Sequence, residues 1–255
     1  MLKLRTVLLD LGGVFYDGTG LLPGALEALA RLRASGLVLR FVTNTTRQSR
    51  VSLLRELAGR GITMSEDELL TPAAAAHHLL RARGLRPLLL IHPDLEPDFA
   101  GLDTAAPNAV VVGDAGEHFS YAKLNQAFRL LHRGAPLLAL GRNRYFQDAD
   151  GLSLDAGPFV AALEYAAGVK AELLGKPAPA LFATAMHFPA CQPAEAVMIG
   201  DDVESDVNGA IAAGLRGILV KTGKYRPGDE AHLEPGGAVA QDIGAAVASL
   251  GIGSG

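Results

Sequence analysis

Length, composition and charge favour a globular protein and exclude several other classes. The chain has 255 residues, of which 49% are hydrophobic and 20% charged, which is ordinary for a protein with a substantial core. The net charge is −4 and the Lys and Arg residues are scattered, so we expect no nucleic-acid partner. The single cysteine, Cys191, cannot form an internal disulfide, which fits a reducing compartment.

The start of the chain carries no targeting signal. The sequence "MLKLRTVLLD" lacks the apolar region and cleavage site of a signal peptide, and no apolar run is long enough to cross a bilayer. We therefore expect a cytoplasmic protein with no membrane partner.

Short apolar runs alternate with helical patterns along the chain, which predicts an α/β fold with a mainly parallel sheet. The first predicted elements are a strand at 6–10, a helix at 23–36, a strand at 37–44 and a helix at 49–61. The middle of the chain contains a predicted helix at 65–84, strands at 87–93 and 108–114, a helix at 120–134, a strand at 136–141 and a helix at 157–168. The last elements are a strand at 171–175, a helix at 179–188, a strand at 196–202, a helix at 204–214, a strand at 216–223 and a helix at 242–250.

Polar side chains follow three of the predicted strands. They are Asp10 after the first strand, Thr43 and Asn44 after the second, and Asp201 and Asp202 after a late one. Ligands of open α/β sheets bind outside the carboxyl ends of the strands, so we expect these residues at one sheet edge. Two acidic strand ends that face each other are costly unless a cation lies between them. Oxygen ligands with no Cys or His cluster favour Mg²⁺ over Zn²⁺.

Each of these residues also has a structural explanation. Asp10 is a suitable helix cap, although the glycines after it allow backbone N–H groups to approach an anion closely. Asp206 either faces the same cation or is a first-turn acid stabilised by the helix dipole. Thr43 and Asn44 are suited to binding phosphate oxygens, but both types are also common in turns.

Lys176 follows an apolar strand and precedes a helix entry. This place in the sequence favours a lysine that points to the site, although most single lysines lie on the solvated surface.

The segments "DxGGV", "VTN", "GKP" and "GDDxxxD" occur in that order along the chain. Together they resemble the four motifs of the haloacid dehalogenase-like (HAD) phosphohydrolase superfamily, over nearly the whole chain. The insertion between the second and third motifs resembles the α/β cap of the NagD-like subfamily. The resemblance implies a Rossmann-like parallel-sheet core, residues 1–70 and 174–255, with an inserted α/β (C2-type) cap, residues 71–173.

The resemblance also implies catalytic roles. Asp10 would be the nucleophile that attacks phosphorus, and Thr43 with Asn44 would hold the transferring phosphoryl oxygens, next to the backbone of Gly13. Lys176 would offset the charge of Asp10 and of the phosphoryl group.

A metal site and cap contacts follow from the same resemblance. Mg²⁺ would be held by Asp10, by Asp201 with Asp206, and by the backbone carbonyl of Gly12. Candidate substrate contacts in the cap are Asp114 and Asn143, with Tyr145 as a further candidate for which packing is the favoured role.

Gly12 departs from the superfamily pattern, in which a second Asp lies two residues after the nucleophile and acts as general acid and base. Such help is worth about 10²–10⁴-fold in rate, so its absence predicts poor activity on alkyl phosphates. We therefore expect preference for P–N bonds or pyrophosphate, as in phosphohistidine, phospholysine and pyrophosphate. Alternatively, His118 or Asp17 supplies the proton.

Two rival functions stay open. One is a general phosphatase that acts on small sugar or nucleotide monophosphates. The other is a catalytically impaired HAD-like protein that binds a phosphorylated ligand without turnover, an option that Gly12 keeps open. A homodimer formed through the cap fits the resemblance, but no residue demands it.

Overall fold

The computed structural model describes residues 3–148, 151–186 and 191–252. Its strands are β1 (Thr6–Leu9), β2 (Tyr16–Asp17), β3 (Gly20–Leu21), β4 (Val38–Val42), β5 (Leu69–Leu70), β6 (Pro87–Leu90), β7 (Ala109–Val112), β8 (Leu137–Ala139), β9 (Tyr145–Asp148), β10 (Gly151–Leu154), β11 (Glu172–Leu173), β12 (Ala196–Gly200), β13 (Arg216–Val220) and β14 (Gly237–Ala240). Its α-helices are α1 (Ala25–Ala34), α2 (Arg50–Gly59), α3 (Pro72–Ala82), α4 (Tyr121–Leu131), α5 (Ala156–Ala167), α6 (Pro179–Ala185), α7 (Gly209–Ala212) and α8 (Ile243–Ser249).

The chain divides into two compact units. The first consists of Met1–Thr43, Leu54–Leu70 and Lys176–Gly255, and the second of Asn44–Leu53 and Thr71–Gly175. Residues 44–53, which the sequence placed in the core domain, therefore group with the second unit. The assignment of these units as a catalytic core and a cap stays a prediction.

The first unit is built on a six-stranded sheet of parallel strands in the order β14-β13-β12-β1-β4-β5. Strand β1 lies inside this sheet, and all four of its residues are buried. Continuous burial is expected where helices cover both faces of a parallel sheet. The register sets Leu9 of β1 opposite Phe41 of β4 and Ile199 of β12, so these three strands end at the same edge.

The second unit has a four-stranded parallel sheet in the order β11-β8-β7-β6. Side chains of β7 alternate between two cores, as the two-residue period of a strand requires. Ala109 and Val111 pack with residues of α3, whereas Val110 and Val112 pack with residues of α4 and α5. The unit therefore has its own hydrophobic core on each face of its sheet.

The α/β class with a mainly parallel sheet is confirmed, and the predicted helix at 65–84 is confirmed over Pro72–Ala82 but wrong over its first residues. A 3₁₀ turn at Glu66–Glu68 is followed by the short strand β5, and α3 begins only at Pro72. The hydroxyl of Thr71 accepts a hydrogen bond from the backbone of Ala74 and so caps α3. Proline suits the first turn of a helix and cannot lie inside it, which separates α3 from the residues before it.

Other differences concern short elements. The hairpins β2–β3 and β9–β10 and the edge strand β14 are not predicted from the sequence. The predicted helix at 204–214 begins with a π-helical turn, Val203–Asn208. The end of the predicted helix at 179–188 lies outside the described residues. None of the described helices combines the length and apolar character needed to span a bilayer.

Candidate active site

Asp10 lies directly after β1, at the carboxyl edge of the first unit's sheet. Its backbone N–H donates to the carbonyl oxygen of Ile199 at 2.9 Å, so pairing with β12 continues to this residue. The Asp10 side chain is only 9% exposed. The carboxylate is therefore held at a rigid strand end and is largely withdrawn from water.

Asp201 and Asp206 come from the end of β12 and the turn that follows it. Asp201 is 1% exposed and Asp206 is 0% exposed. The π-helical turn Val203–Asn208 returns Asp206 towards the strand, and its Oδ2 accepts a hydrogen bond from the Asp202 backbone at 3.2 Å. A Cβ on Gly200 would lie 2.3 Å from Asp206 Oδ2, so glycine at the last position of β12 makes this approach possible.

The three carboxylates of Asp10, Asp201 and Asp206 form one buried cluster. One oxygen from each lies within 4.8 Å of the others. The structure thus brings together three of the side chains that the sequence selected, from two separate parts of the chain.

The side chain of Asp202 caps the turn after β12, whereas that of its neighbour Asp201 belongs to the carboxylate cluster. Asp202 Oδ1 accepts hydrogen bonds from the backbone of Glu204 and Ser205, at 3.1 and 2.9 Å. These bonds satisfy orphan N–H groups at the start of the turn, which is the usual work of an Asp cap. Asp202 therefore shapes the segment that presents Asp206.

Lys176 places a positive charge inside the acidic cluster. The residue is 5% exposed, and its Nζ lies 2.6 Å from Asp10 Oδ1 and 2.6 Å from Asp206 Oδ1. Burial alone would lower the pKa of Lys176, but the charges of Asp10 and Asp206 outweigh burial and raise it. The side chain is therefore a permanent cation at the site.

Crowding of the carboxylates raises the pKa of two of them. Burial, followed by the charges of Asp10 and Asp206, raises the pKa of Asp201 to about 8. Burial raises the pKa of Asp206 to about 6, although the Lys176 ammonium opposes this shift. One lysine does not neutralise three buried carboxylates, so without a further cation Asp201 retains its proton at neutral pH.

A divalent cation fits this cluster. The donors are all carboxylate oxygens, which suit a hard ion such as Mg²⁺. Asp201 Oδ1 is buried and has no hydrogen-bond partner within the described part of the chain. A buried carboxylate oxygen without a partner is costly, and a bound cation would satisfy it.

We predict that metal stabilises the protein more at high pH than at low pH. Native Asp201 and Asp206 keep protons that the unfolded chain loses above its ordinary carboxyl pKa. The native state therefore binds more protons between pH 4 and about 8, and this contribution to the free energy of unfolding falls as pH rises through that window. Mg²⁺ replaces these protons, so its effect grows as they are lost.

Thermal unfolding in EDTA and in Mg²⁺, at pH about 5.5 and about 8.5, checks this prediction. The Mg²⁺-induced rise in Tm should be larger at the higher pH, and Asp201→Asn should remove most of this difference. An equal rise at both pH values in the unmodified protein would contradict it.

The remaining predicted residues of the first unit lie at the same sheet edge. Thr43 is 8% exposed and follows β4, whose Phe41 lies opposite Leu9. Gly12 is exposed, and a Cβ built on it meets no heavy atom within 4 Å. Gly13 has a φ of +78°, in the left-handed region that glycine adopts readily.

Four predicted substrate contacts belong to the second unit: Asn44, Asp114, Asn143 and Tyr145, of which Tyr145 is exposed. Asp114 is buried, and its Oδ2 lies 2.9 Å from Arg47 Nε. Asn143 is exposed and its side chain hydrogen-bonds to Asp155. Their roles as substrate contacts stay predictions.

The two alternative proton donors differ in surroundings. The carboxylate of Asp17 accepts hydrogen bonds from the hydroxyl and the backbone of Thr19, which lower the pKa of Asp17. Because its pKa is lowered, the Asp17 carboxyl is almost fully deprotonated at neutral pH and has little proton to donate as a general acid. His118, in the second unit, is exposed and lies edge-on to the ring of His92.

Sequence reasoning missed the segment after β13, residues 221–224. The backbone of Lys224 donates to Asp201 Oδ2 at 2.7 Å, and the Lys224 ammonium lies 3.4 Å from Asp202 Oδ2. Its place in the sequence could have predicted it, because the polar pair Thr222-Gly223 follows β13, and β13 lies next to β12 in the sheet.

Two family models match the chain. A model described as haloacid dehalogenase-like hydrolase matches residues 7–104, and one described as HAD-hydrolase-like matches residues 173–246. These stretches contain the Asp10 segment and the Lys176, Asp201 and Asp206 segments, respectively.

Curated relatives cover almost the whole chain. Haloacid dehalogenase-like hydrolase domain-containing protein 2 of Bos taurus is 51% identical, over 91% of this chain and 90% of its own length. Phospholysine phosphohistidine inorganic pyrophosphate phosphatase of Homo sapiens is 47% identical, over 90% of this chain and 87% of its own. The resemblance to the second protein, visible in stretches such as "RFVTN" and "KTGKYRPGDE", is confirmed, although the first is more identical.

Solved structures share the fold. A putative NagD protein has a TM-score of 0.86 at 30% identity, over 98% of this chain and 100% of its own. Glycerol phosphate phosphatase from Mycobacterium tuberculosis in complex with magnesium has a TM-score of 0.83 at 29% identity, over 94% of this chain and 75% of its own. The expectation of a Rossmann-like, NagD-like fold is confirmed.

Proposed function

The chain belongs to the haloacid dehalogenase-like hydrolase family, and we propose on this premise that it is a Mg²⁺-dependent phosphatase that works through an aspartyl-phosphate on Asp10. The observation that carries the proposal is the buried cluster of three carboxylates around the Lys176 ammonium. Such a cluster is costly as structure alone, because its charges are desolvated and of like sign.

In the first step, a carboxylate oxygen of Asp10 attacks the phosphorus atom of the substrate. An O–P bond forms to Asp10, the bond from phosphorus to the leaving group breaks, and the leaving group takes the electron pair. Burial of Asp10 on a strand end fixes the direction of attack, which matters because phosphoryl transfer depends mainly on in-line placement and charge neutralisation.

Further groups of this chain hold the transferring phosphoryl group. Thr43, with Asn44, donates to its oxygens, and the backbone of Gly13 lies close to them. Lys176 holds its positive charge beside Asp10 and limits the repulsion between the carboxylate and the incoming phosphate. Bound Mg²⁺, held by Asp10, Asp201, Asp206 and the Gly12 carbonyl, supplies charge neutralisation and a template for the substrate.

In the second step, water attacks the phosphorus of the aspartyl-phosphate: an O–P bond forms to the water oxygen, the O–P bond to Asp10 breaks and restores the carboxylate, and the proton lost by water passes to the released phosphate or to solvent. The position that usually supplies a general acid and base is Gly12 in this chain. A leaving group that needs little protonation is therefore favoured. A phosphoramidate nitrogen takes up a proton before attack, and pyrophosphate expels phosphate.

We therefore propose P–N and pyrophosphate substrates, with phospholysine, phosphohistidine and pyrophosphate as the first candidates. The name of the human relative that is 47% identical supports this choice. A general monophosphatase is the second candidate, supported by the M. tuberculosis glycerol phosphate phosphatase with the same fold.

A substrate panel separates these functions. Purified protein with Mg²⁺ is given imidodiphosphate, pyrophosphate, phosphohistidine and a sugar phosphate, and phosphate release is measured for each. We expect kcat/KM for the first three to exceed that for the sugar phosphate, by about 10²-fold if the missing acid is decisive.

Faster turnover of the sugar phosphate would favour the general monophosphatase. Saturable binding of these compounds without phosphate release would favour a ligand-binding protein. Where phosphate is released, a parallel assay in EDTA reports whether that release needs the metal.

A further inference from the structure

The segment Lys221–Lys224, directly after β13, lies against the carboxylate of Asp201. The backbone N–H of Lys224 donates to Asp201 Oδ2 at 2.7 Å. This donor belongs to the main chain, so it is present whatever side chain occupies position 224. It satisfies one oxygen of Asp201, while Oδ1 is buried with no partner in the described ranges.

Two glycines from different loops enclose the same oxygen. Gly223 has a φ of +60°, and a Cβ on it would lie 2.0 Å from Asp201 Oδ2 and 2.4 Å from the Cα of Gly13. Gly13 has a φ of +78°, and a Cβ on it would lie 1.9 Å from Asp201 Oδ2. The loop after β1 and the loop after β13 therefore meet backbone to backbone on this carboxylate, with no room for a side chain.

A side-chain hydrogen bond joins these two loops. The hydroxyl of Thr222 donates to the carbonyl oxygen of Gly13 at 2.5 Å. On the other side of the same residue, the N–H of Gly13 donates to the carbonyl oxygen of Tyr16 at 2.7 Å. The Thr222 bond holds the peptide plane after Gly13, and the bond to Tyr16 holds the plane before it, which carries the carbonyl of Gly12.

We propose that Thr222 is a positioning residue for the metal site. Its bond to the Gly13 carbonyl ties the loop after β13 to the loop after β1, and so keeps Gly223 and Lys224 against Asp201 with Oδ1 facing the cation. This inference rests on the proposed function, which makes the Gly12 carbonyl and Asp201 metal ligands. Thr222 itself contacts neither metal nor substrate.

The test measures Mg²⁺ affinity rather than activity alone. Thr222→Val keeps the shape of the side chain and removes the hydroxyl, whereas Thr222→Ser keeps the hydroxyl. Loss of an outer-shell hydrogen bond typically weakens metal affinity by about 10–100-fold, so we expect the Mg²⁺ Kd of T222V to rise about tenfold. We expect T222S to stay within about twofold of the unmodified protein, because its hydroxyl preserves this bond.

Titration calorimetry with Mg²⁺ gives the Kd, and steady-state assays give kcat at saturating Mg²⁺. The matched control is Thr63→Val, because Thr63 is an exposed threonine of the same unit. A positioning role predicts that T222V changes the Mg²⁺ Kd and the KM for Mg²⁺ far more than kcat at saturation. If T222V does not fold, Thr222→Ala takes its place, with the Mg²⁺-induced rise in Tm as the readout.

The outcomes separate the two claims. Unchanged Mg²⁺ affinity in T222V, with normal binding by the unmodified protein, overturns the role of Thr222 and leaves the proposed function intact. Absence of Mg²⁺ binding by the unmodified protein overturns the proposed metal site, and the role of Thr222 with it.

Discussion

Asp10→Asn should reduce Mg²⁺-dependent phosphate release by more than about 10³-fold, because the amide is a far weaker nucleophile than the carboxylate. The change preserves the size of the side chain, and Lys176 keeps its ion pair with Asp206 at 2.6 Å. We therefore expect a folded but inactive protein. Phosphate release on the preferred substrate, with circular dichroism to verify folding, checks this result.

The matched control is Asp67→Asn. Asp67 is an exposed acid of the same unit, and we expect its amide variant to retain full activity. Equal phosphate release by D10N and the unmodified protein would show that the activity comes from another site or from a contaminant.

Gly12→Asp should raise turnover of an alkyl phosphate by about 10²-fold, since it places a general acid two residues after Asp10. The backbone accepts a side chain here, because a Cβ on Gly12 meets no heavy atom within 4 Å. Turnover of phosphohistidine or pyrophosphate should change much less, because these leaving groups need little protonation. The measurement is kcat for a sugar phosphate and for pyrophosphate in both proteins.

Gly12→Asn separates acid catalysis from a simple change of shape. Asn matches Asp in size but carries no titrating proton, so we expect G12N to behave like the unmodified protein on the sugar phosphate. The pH profile of G12D should also gain a new ionisation. If G12D and G12N gave the same rates, the absence of an acid at position 12 would not explain the substrate preference.

The sequence predicted the sheet and its acidic edge because both depend on simple patterns. Buried parallel strands appear as continuous apolar runs, and β1, β4 and β12 were all found this way. A polar residue directly after such a run must lie at the sheet edge, which selected Asp10, Thr43 and Asp201 before any distance was known. Parallel register then brought the two aspartates together.

What the sequence could not predict depends on contacts between distant segments. The role of Thr222 rests on a bond to the carbonyl of Gly13, which no local pattern reveals. The predicted helix at 65–84 began too early, because tertiary pairing of β5 with β4 overrides the helical propensity of its first residues. Asp201 and Asp202 have identical side chains, so the sequence could not tell which one caps the turn and which one faces the site. The backbone of the turn after β12 decides this.

A crystal structure with Mg²⁺ and beryllium fluoride tests the central claim most directly, because beryllium fluoride imitates the phosphoryl group on an aspartate without requiring the substrate to be known. We predict a beryllium atom bonded to a carboxylate oxygen of Asp10 and one Mg²⁺ held by Asp10, the Gly12 carbonyl, Asp201 and Asp206. Beryllium fluoride bound to another residue, or Mg²⁺ absent from this cluster at saturating concentration, would contradict the account.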